Sequence, residues 1–153
     1  MWPSYVINLA DNTARLDAVT KIMTAQDIAF ERVEGVNGWA LTEAEIARTY
    51  DAKRNAKEGR HPLVPAEIGC YLSHIAAWQR IADGDAAGGF IFEDDFDATA
   101  QLGPVLRALS ADAAGDWDMT KLFTLDTDVE LCNARLLLDD VQIGTPYRVP
   151  TCL

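Results

Sequence analysis

The sequence predicts an α/β fold, with a largely parallel sheet covered by helices on both faces. Residues 5–9, 30–33 and 90–92 form short runs rich in β-branched and aromatic residues, which are typical of buried strands. Segments with apolar residues at helical spacing lie between these runs. Acidic residues follow the third run directly, as polar residues do at the end of a strand. Strands that alternate with helices in this way favour an α/β sheet, and we expect the strands at residues 5–9 and 90–92 both to be central in it.

The first half of the chain contains two predicted helices and a loop. Any of residues 11–13 can cap the first helix, and apolar side chains follow at helical spacing. Thr42 and Glu45 have the spacing of a capping box, which predicts a short helix that ends near Tyr50. Residues 51–64 are basic and lack apolar periodicity, so we predict a mobile loop there.

The second half begins with a long predicted helix. Pro65 suits its first position, and glycines 84, 88 and 89 end it. The apolar side chains that define its predicted buried face are Ile68, Leu72, Ile75 and Ala82, with Tyr71 and Trp78 on the flank. A helix over 102–109 and a strand over 121–125 continue the alternation, and residues 136–153 have the pattern of one or two further short strands.

Length and charge limit the range of functions. The 153 residues fit one domain, which we place at 1–153. The net charge is −11, and almost all of it lies in residues 81–153, with 14 acidic and 4 basic side chains. Nucleic acid would be repelled by such a surface. Neither a secretory signal nor an apolar run of about 20 residues is evident, and the three cysteines have unrelated spacings. We therefore expect a cytoplasmic protein.

An acidic cluster follows the third predicted strand. Glu93, Asp94, Asp95 and Asp97 put four carboxylates within five residues, with no base between them. Ligands of open α/β sheets bind at the carboxyl ends of the strands, and crowded carboxylates there favour a divalent cation. Oxygen ligands suit Mg²⁺ or Mn²⁺, and strand alternation predicts that Glu93 and Asp95 point to the same side. The alternative is a solvated acidic turn.

Arg15 lies in the first turn of the first predicted helix, where the helix dipole disfavours a cation. An anion bound at the end of the first strand would benefit from the guanidinium and from the helix N-terminus. The alternative is a surface arginine paired with Asp11 or Asp17. Within the long helix, His74 is interpreted as a hydrogen-bonded core residue and Cys70 as a small buried side chain.

These segments, in this order, resemble glycosyltransferase family 25, which includes lipooligosaccharide and collagen galactosyltransferases. The resemblance covers residues 4–125 and rests on four motifs. Its most specific feature is that the third and fourth motifs occur together, about twenty residues apart. The motifs are VINL at 6–9 followed by Arg15, FERVEGVNG at 30–38, EIGCYLSH at 67–74 and FIFEDD at 90–95.

The resemblance implies a GT-A-like fold that transfers galactose or glucose from a UDP-sugar, with inversion, to a glycan or lipooligosaccharide acceptor. It also implies that Asn8, Arg15 and Asp94 bind the donor, and that Glu93 and Asp95 bind Mn²⁺ or Mg²⁺. The general base that inversion requires is not assigned. By this resemblance the chain lacks the usual C-terminal part of the family. Peripheral association with the inner membrane and homo-oligomerisation stay open.

Two alternatives compete with a transferase. Residues 95–99 have the D-x-D-x-T pattern of haloacid-dehalogenase-like phosphatases, in which Asp95 would be the nucleophile and Asp97 the acid/base. That loop normally comes early in its domain, whereas about 90 residues precede it here. The second alternative is a shortened, non-catalytic domain that binds nucleotide or a partner subunit.

Overall fold

A computed structural model describes residues 1–58, 61–122 and 129–147. The chain divides into two compact units. One unit comprises Trp2–Thr99, and the other comprises Met1 together with Ala100–Leu153. All five predicted donor and metal residues belong to the first unit.

The first unit is built on a three-stranded parallel sheet. Its strands are β1 (Ser4–Asn8), β2 (Glu31–Glu34) and β3 (Phe90–Glu93), in the order β2-β1-β3. Ile7 pairs with Val33 on one side and with Glu93 on the other, so the carboxyl ends of all three strands meet at one edge. All five residues of β1 are buried, because this strand lies between the other two.

The helices of this unit are α1 (Thr13–Ala25), α2 (Glu43–Thr49), α3 (Ala52–Glu58) and α4 (Pro65–Ala82). A short 3₁₀ helix, Gly38–Ala40, precedes α2. Both predicted features of the local sequence are present: Thr42 and Glu45 form a capping box, and Pro65 begins α4. The predicted loop over 51–64 is wrong for residues 52–58, because the Asp51 carboxylate accepts hydrogen bonds from the amides of Lys53 and Arg54 and starts α3.

The helix α4 packs against the sheet through small side chains. Its buried residues are Ile68, Gly69, Ser73 and Ala77. A Cβ atom on Gly69 would lie 2.5 Å from the carbonyl oxygen of Val36, so only glycine permits this approach. The predicted face was therefore wrong in part: Ile68 is buried, but Ile75 and Ala82 are exposed, since small residues give the closer contact.

The second unit contains α5 (Leu102–Ala111) and an antiparallel hairpin of β4 (Leu131–Leu138) and β5 (Val141–Pro146). This confirms the predicted helix over 102–109 and the expected strands in the tail. An ion pair between Asp112 and Arg135 links the end of α5 to β4. Of the predicted strand over 121–125, residues 121 and 122 are not in a strand, and 123–125 lie outside the described residues.

The sheet differs from the prediction in one further respect. We expected the strands at residues 5–9 and 90–92 both to be central, but within the described residues only β1 is central and β3 is an edge strand. The fold class itself, a mixed α/β structure with a parallel sheet flanked by helices, is confirmed and is consistent with a GT-A-like, Rossmann-like fold.

Candidate functional site

Asn8 is the central residue of a polar network at the carboxyl end of β1. Its side-chain amide donates hydrogen bonds to Oδ2 of Asp94 at 2.6 Å and to the carbonyl oxygen of Asn12 at 2.9 Å. Its Oδ1 accepts a hydrogen bond from Nε of Arg32 at 3.0 Å. Asn8 is only 2% exposed, so each of these polar groups replaces the water that Asn8 has lost. The network therefore joins β1, β2 and the turn after β3.

Arg15 extends this network to the acidic turn. One nitrogen, Nη1, lies 3.1 Å from Oδ1 of Asp94 and 3.3 Å from Oδ2 of Asp95. The Asp94 side chain is 11% exposed, whereas those of Arg15 and Asp95 are about half exposed. The alternative pairing of Arg15 with Asp11 or Asp17 is thus replaced by a contact across the sheet edge. Arg15 supplies the positive charge that the acidic segment itself lacks.

The acidic turn is held in place by an aromatic contact. The ring centroids of Phe92 and Phe96 lie 5.0 Å apart, so the chain folds back after β3 onto the buried end of the strand. The strand ends at Glu93, and Asp94 and Asp95 belong to a turn. Strand alternation does not extend beyond that point, which is why both Asp94 and Asp95 contact Arg15.

Glu93 points instead toward α4. Its Oε1 lies 3.2 Å from Nε2 of His74, and this hydrogen bond lowers the pKa of Glu93 below its usual value. Cys70 lies one turn before His74, and one ligand atom from each of Cys70, His74 and Glu93 lies within 4.8 Å of the others. Partial burial raises the pKa of the Cys70 thiol, and the charges of Glu93 and Asp95 raise it further.

Two sequence interpretations are corrected here. Cys70 is exposed rather than buried, and His74 contacts a carboxylate at the sheet edge rather than the core. The reason is the rotation of α4: Gly69 and Ser73 face the segment that follows β2, and the next residue after each, Cys70 and His74, lies near Glu93 at the end of β3. Ser73 completes this packing, because its hydroxyl donates to the carbonyl of Gly69 and accepts from the amide of Val36.

A cleft of about 410 Å³ adjoins the Asn8 network at the ends of β1 and β2. It is lined by Leu9, Ala10, Asp11, Asn12, Glu34, Gly35 and Asn37. The Gly35 amide donates to the carbonyl of Asn8, which joins the segment after β2 to the end of β1. Its volume is in the range of pockets that bind small molecules. Asn12 is the N-cap residue of α1 beside this cleft, and its side chain makes no capping hydrogen bond.

The donors at the sheet edge suit a hard divalent cation. Glu93 and Asp95 are both about 56% exposed, so both carboxylates are accessible to a cation. Carboxylate oxygens are the protein ligands that Mg²⁺ and Mn²⁺ prefer. Asp94 is less available, because Asn8 and Arg15 already contact both of its oxygens.

The structure thus brings Asn8, Arg15, Asp94 and Asp95 into one network, with Glu93 beside it. Sequence reasoning missed Arg32, which donates to both the side chain and the backbone carbonyl of Asn8. Its position near the carboxyl end of the predicted strand over 30–33 was the available signal. A mostly parallel sheet with polar groups gathered at its carboxyl edge is the arrangement of ligand-binding α/β proteins.

The chain belongs to glycosyltransferase family 25. Residues 1–130 match the sequence profile of that family, which is described as glycosyltransferase family 25 (LPS biosynthesis protein). The matched range includes the whole Asn8 network, the acidic turn and the cleft. Family membership makes the chain a glycosyltransferase-type domain.

Individual relatives agree with this assignment. The chain is similar to procollagen galactosyltransferase 2 of Mus musculus, with 30% identity over 122 residues, and to procollagen galactosyltransferase 1-A of Xenopus laevis, with 27% identity over 125 residues. It is also 26% identical over 125 residues to a Homo sapiens protein named inactive glycosyltransferase 25 family member 3. These matches cover 75–77% of the chain, but the chain spans only about a fifth of the length of each relative.

No helix among the described residues is long and apolar enough to cross a membrane.

Proposed function

We propose that this domain binds a UDP-sugar at the carboxyl edge of its sheet and transfers the hexose, galactose or glucose, to a hydroxyl of a glycan or lipooligosaccharide acceptor. The observation that carries the proposal is the buried Asn8, which ties the Asp94 carboxylate and Arg15 to the ends of neighbouring parallel strands. The names of the galactosyltransferase relatives support the class of sugar. We further propose that transfer inverts the anomeric centre and takes place in the cytoplasm, at the inner membrane surface.

The cleft beside Asn8 is the proposed nucleotide pocket. The amide side chains of Asn12 and Asn37 offer donors and acceptors for a pyrimidine ring or a ribose. The N-terminus of α1 lies beside the cleft without a side-chain cap, and Arg15 is in its first turn. Backbone N–H groups at a helix N-terminus and a guanidinium both favour a diphosphate. The diphosphate would therefore extend from the cleft toward Arg15.

Glu93 and Asp95 would hold Mn²⁺ or Mg²⁺ in this proposal. Such a cation stabilises the negative charge that develops on the UDP leaving group. In the structure described here Arg15 already compensates part of the acidic charge, since it contacts both Asp94 and Asp95. Arg15 would bind the diphosphate end of the donor, and Asp94, which Asn8 holds in position, would orient Arg15. The residue that accepts the proton of the acceptor hydroxyl is left unassigned.

Thermal unfolding in the presence of nucleotides tests the donor proposal. A ligand at about 100 times its dissociation constant stabilises the folded state by about 2.7 kcal/mol, which gives a measurable rise in unfolding temperature. We expect UDP with Mn²⁺ to raise the unfolding temperature more than AMP or inorganic phosphate does at the same concentration. An equal effect of all three, or no effect of UDP, would contradict a pocket specific for a sugar nucleotide.

A second candidate is a non-catalytic domain that binds nucleotide without turnover. The relative named as inactive favours it. UDP-sugar hydrolysis or transfer by the purified chain separates the two candidates, because both predict binding and only one predicts turnover. The family match includes residues 95–99, and this favours a transferase over a haloacid-dehalogenase-like phosphatase. Hydrolysis of a simple aryl phosphate would reverse that preference.

A further inference from the structure

Three different ligand types converge where α4 passes the end of β3. The Cys70 sulfur, a ring nitrogen of His74 and a carboxylate oxygen of Glu93 lie within 4.8 Å of one another. Cys70 and His74 are four residues apart in α4 and therefore share one face of the helix. Glu93 comes from the neighbouring strand, so the cluster joins two elements. Neither the proposed donor pocket nor its oxygen ligands make use of Cys70 or His74.

The separations suit a tetrahedral cation. Zn–N and Zn–O bonds of about 2.0 Å at a tetrahedral angle place the two ligand atoms about 3.3 Å apart. The observed distance between Nε2 of His74 and Oε1 of Glu93 is 3.2 Å. A Zn–S bond of about 2.3 Å places the sulfur about 3.5 Å from the other two ligand atoms. Cys70 is exposed, so a change of its side-chain rotamer can shorten its distance to them without disturbing the core.

The helix that carries two of the ligands is rigidly positioned. The close approach of Gly69 to Val36 and the two hydrogen bonds of the Ser73 hydroxyl hold this part of α4 against the segment that follows β2. Cys70 and His74 directly follow Gly69 and Ser73 in sequence. Ligands on well-packed elements bind a metal with less loss of conformational entropy than ligands on loops. The cluster is thus preorganised apart from the Cys70 rotamer.

We propose that Cys70, His74 and Glu93 form a binding site for a thiophilic divalent cation of the zinc class, with a fourth position open to water or a substrate group. A sulfur, nitrogen and oxygen donor set suits Zn²⁺ or Co²⁺, whereas Mn²⁺ and Mg²⁺ prefer oxygen alone. The bound cation would favour the thiolate form of Cys70 and balance the two negative charges beside it. The Glu93–His74 hydrogen bond would be replaced by two bonds to the metal.

This site goes beyond the proposed donor pocket and shares only Glu93 with it. A zinc-class ion bound by Cys70, His74 and Glu93 would withdraw Glu93 from Asp95 and from an oxygen-coordinated cation. Zinc in excess is therefore expected to weaken Mn²⁺-dependent UDP binding in the wild-type chain. The same zinc concentration is expected to have little effect on that binding in a Cys70→Ser variant.

Cobalt titration of the reduced, metal-free full chain is the direct test. Co²⁺ bound by a thiolate gives a sulfur-to-cobalt charge-transfer absorption, and tetrahedral Co²⁺ gives strong visible bands. We expect both in the wild type and in a Cys132→Ser, Cys152→Ser double variant, in which Cys70 is the remaining thiol. Cys70→Ser should abolish the charge-transfer absorption. His74→Ala should weaken cobalt binding more than about 10-fold. Loss of a residue that only contacts a metal ligand can already weaken binding about 10-fold, and loss of a ligand itself should cost more.

The outcomes separate this proposal from the donor proposal. Absence of the charge-transfer absorption in the wild type, or its persistence in Cys70→Ser, would overturn the zinc-class site. Loss of the charge-transfer absorption in the double variant that keeps Cys70 would also overturn it. Thermal unfolding of Cys70→Ser without metal checks that the variant folds, and Cys70→Ala gives a second variant if it does not. Failure of Mn²⁺-dependent UDP binding would overturn the donor proposal and leave the cobalt result unaffected.

Discussion

Substitution of Asn8 by alanine removes the residue that joins the three strand ends. Three side-chain hydrogen bonds are lost, to Asp94, to the carbonyl of Asn12 and from Arg32. A hydrogen bond contributes about 0.5–1.5 kcal/mol net, and more where one partner is charged, as Asp94 and Arg32 are. The largely buried Asp94 carboxylate also loses a donor. We therefore expect Asn8→Ala to lower the free energy of unfolding by about 3 kcal/mol.

Urea and thermal unfolding of the variant and the wild type measure this loss. For a chain of this length, about 3 kcal/mol corresponds to a fall in unfolding temperature of roughly 6–12 °C. Asn55→Ala is the matched control, because its side-chain amide makes one hydrogen bond, to the carbonyl of His61, near the surface. We expect that control to lose about 1 kcal/mol or less. If both variants lose the same small amount, the Asn8 network does not hold the site together as argued.

Two further predictions concern packing and pH. Gly69→Ala should destabilise the chain by about 1–3 kcal/mol in urea unfolding, despite alanine's higher helix propensity, because its Cβ would lie 2.5 Å from the carbonyl oxygen of Val36. Gly84→Ala, whose Cβ would lie 3.3 Å from the nearest backbone oxygen, should cost much less, and equal losses would contradict the packing argument. The hydrogen bond from Arg135 holds the pKa of Asp112 below its usual value, so the stability gained from this pair is present above the usual pKa of an aspartate and is lost as pH falls through the lowered pKa. In an NMR titration Arg135→Gln should raise the pKa of Asp112 toward its usual value, and no change would refute this cause.

The parts of the fold predicted correctly are those set by local sequence. The short apolar runs of β1, β2 and β3, the Thr42 capping box and Pro65 act through neighbouring residues, and each is present in the structure. The α3 helix was missed because it has no apolar face: none of its residues is buried, so no periodicity indicates it. Its start depends on the Asp51 side chain, a local signal that was overlooked.

The site was predicted less completely than the fold because its contacts are long-range. Acidic residues after a strand indicated the position of the candidate site, and Arg15 was selected from its unfavourable place in a helix. The partners of each group depend on the rotation of α4, which small residues determine through close packing. Hydrophobic periodicity alone favoured the larger side chains, and that error placed Cys70 in the core and separated His74 from Glu93.

The most direct test of a metal-dependent donor site is a binding isotherm for UDP, measured at increasing Mn²⁺ for the wild type, Asp95→Asn and Asp97→Asn. Both substitutions remove one negative charge from an exposed residue of the same segment, so nonspecific electrostatics affect them alike. We expect Asp95→Asn to abolish the Mn²⁺-dependent part of UDP binding and Asp97→Asn to leave it nearly unchanged. Equal, undiminished Mn²⁺-dependent affinity in all three proteins would contradict the assignment of the metal to Glu93 and Asp95.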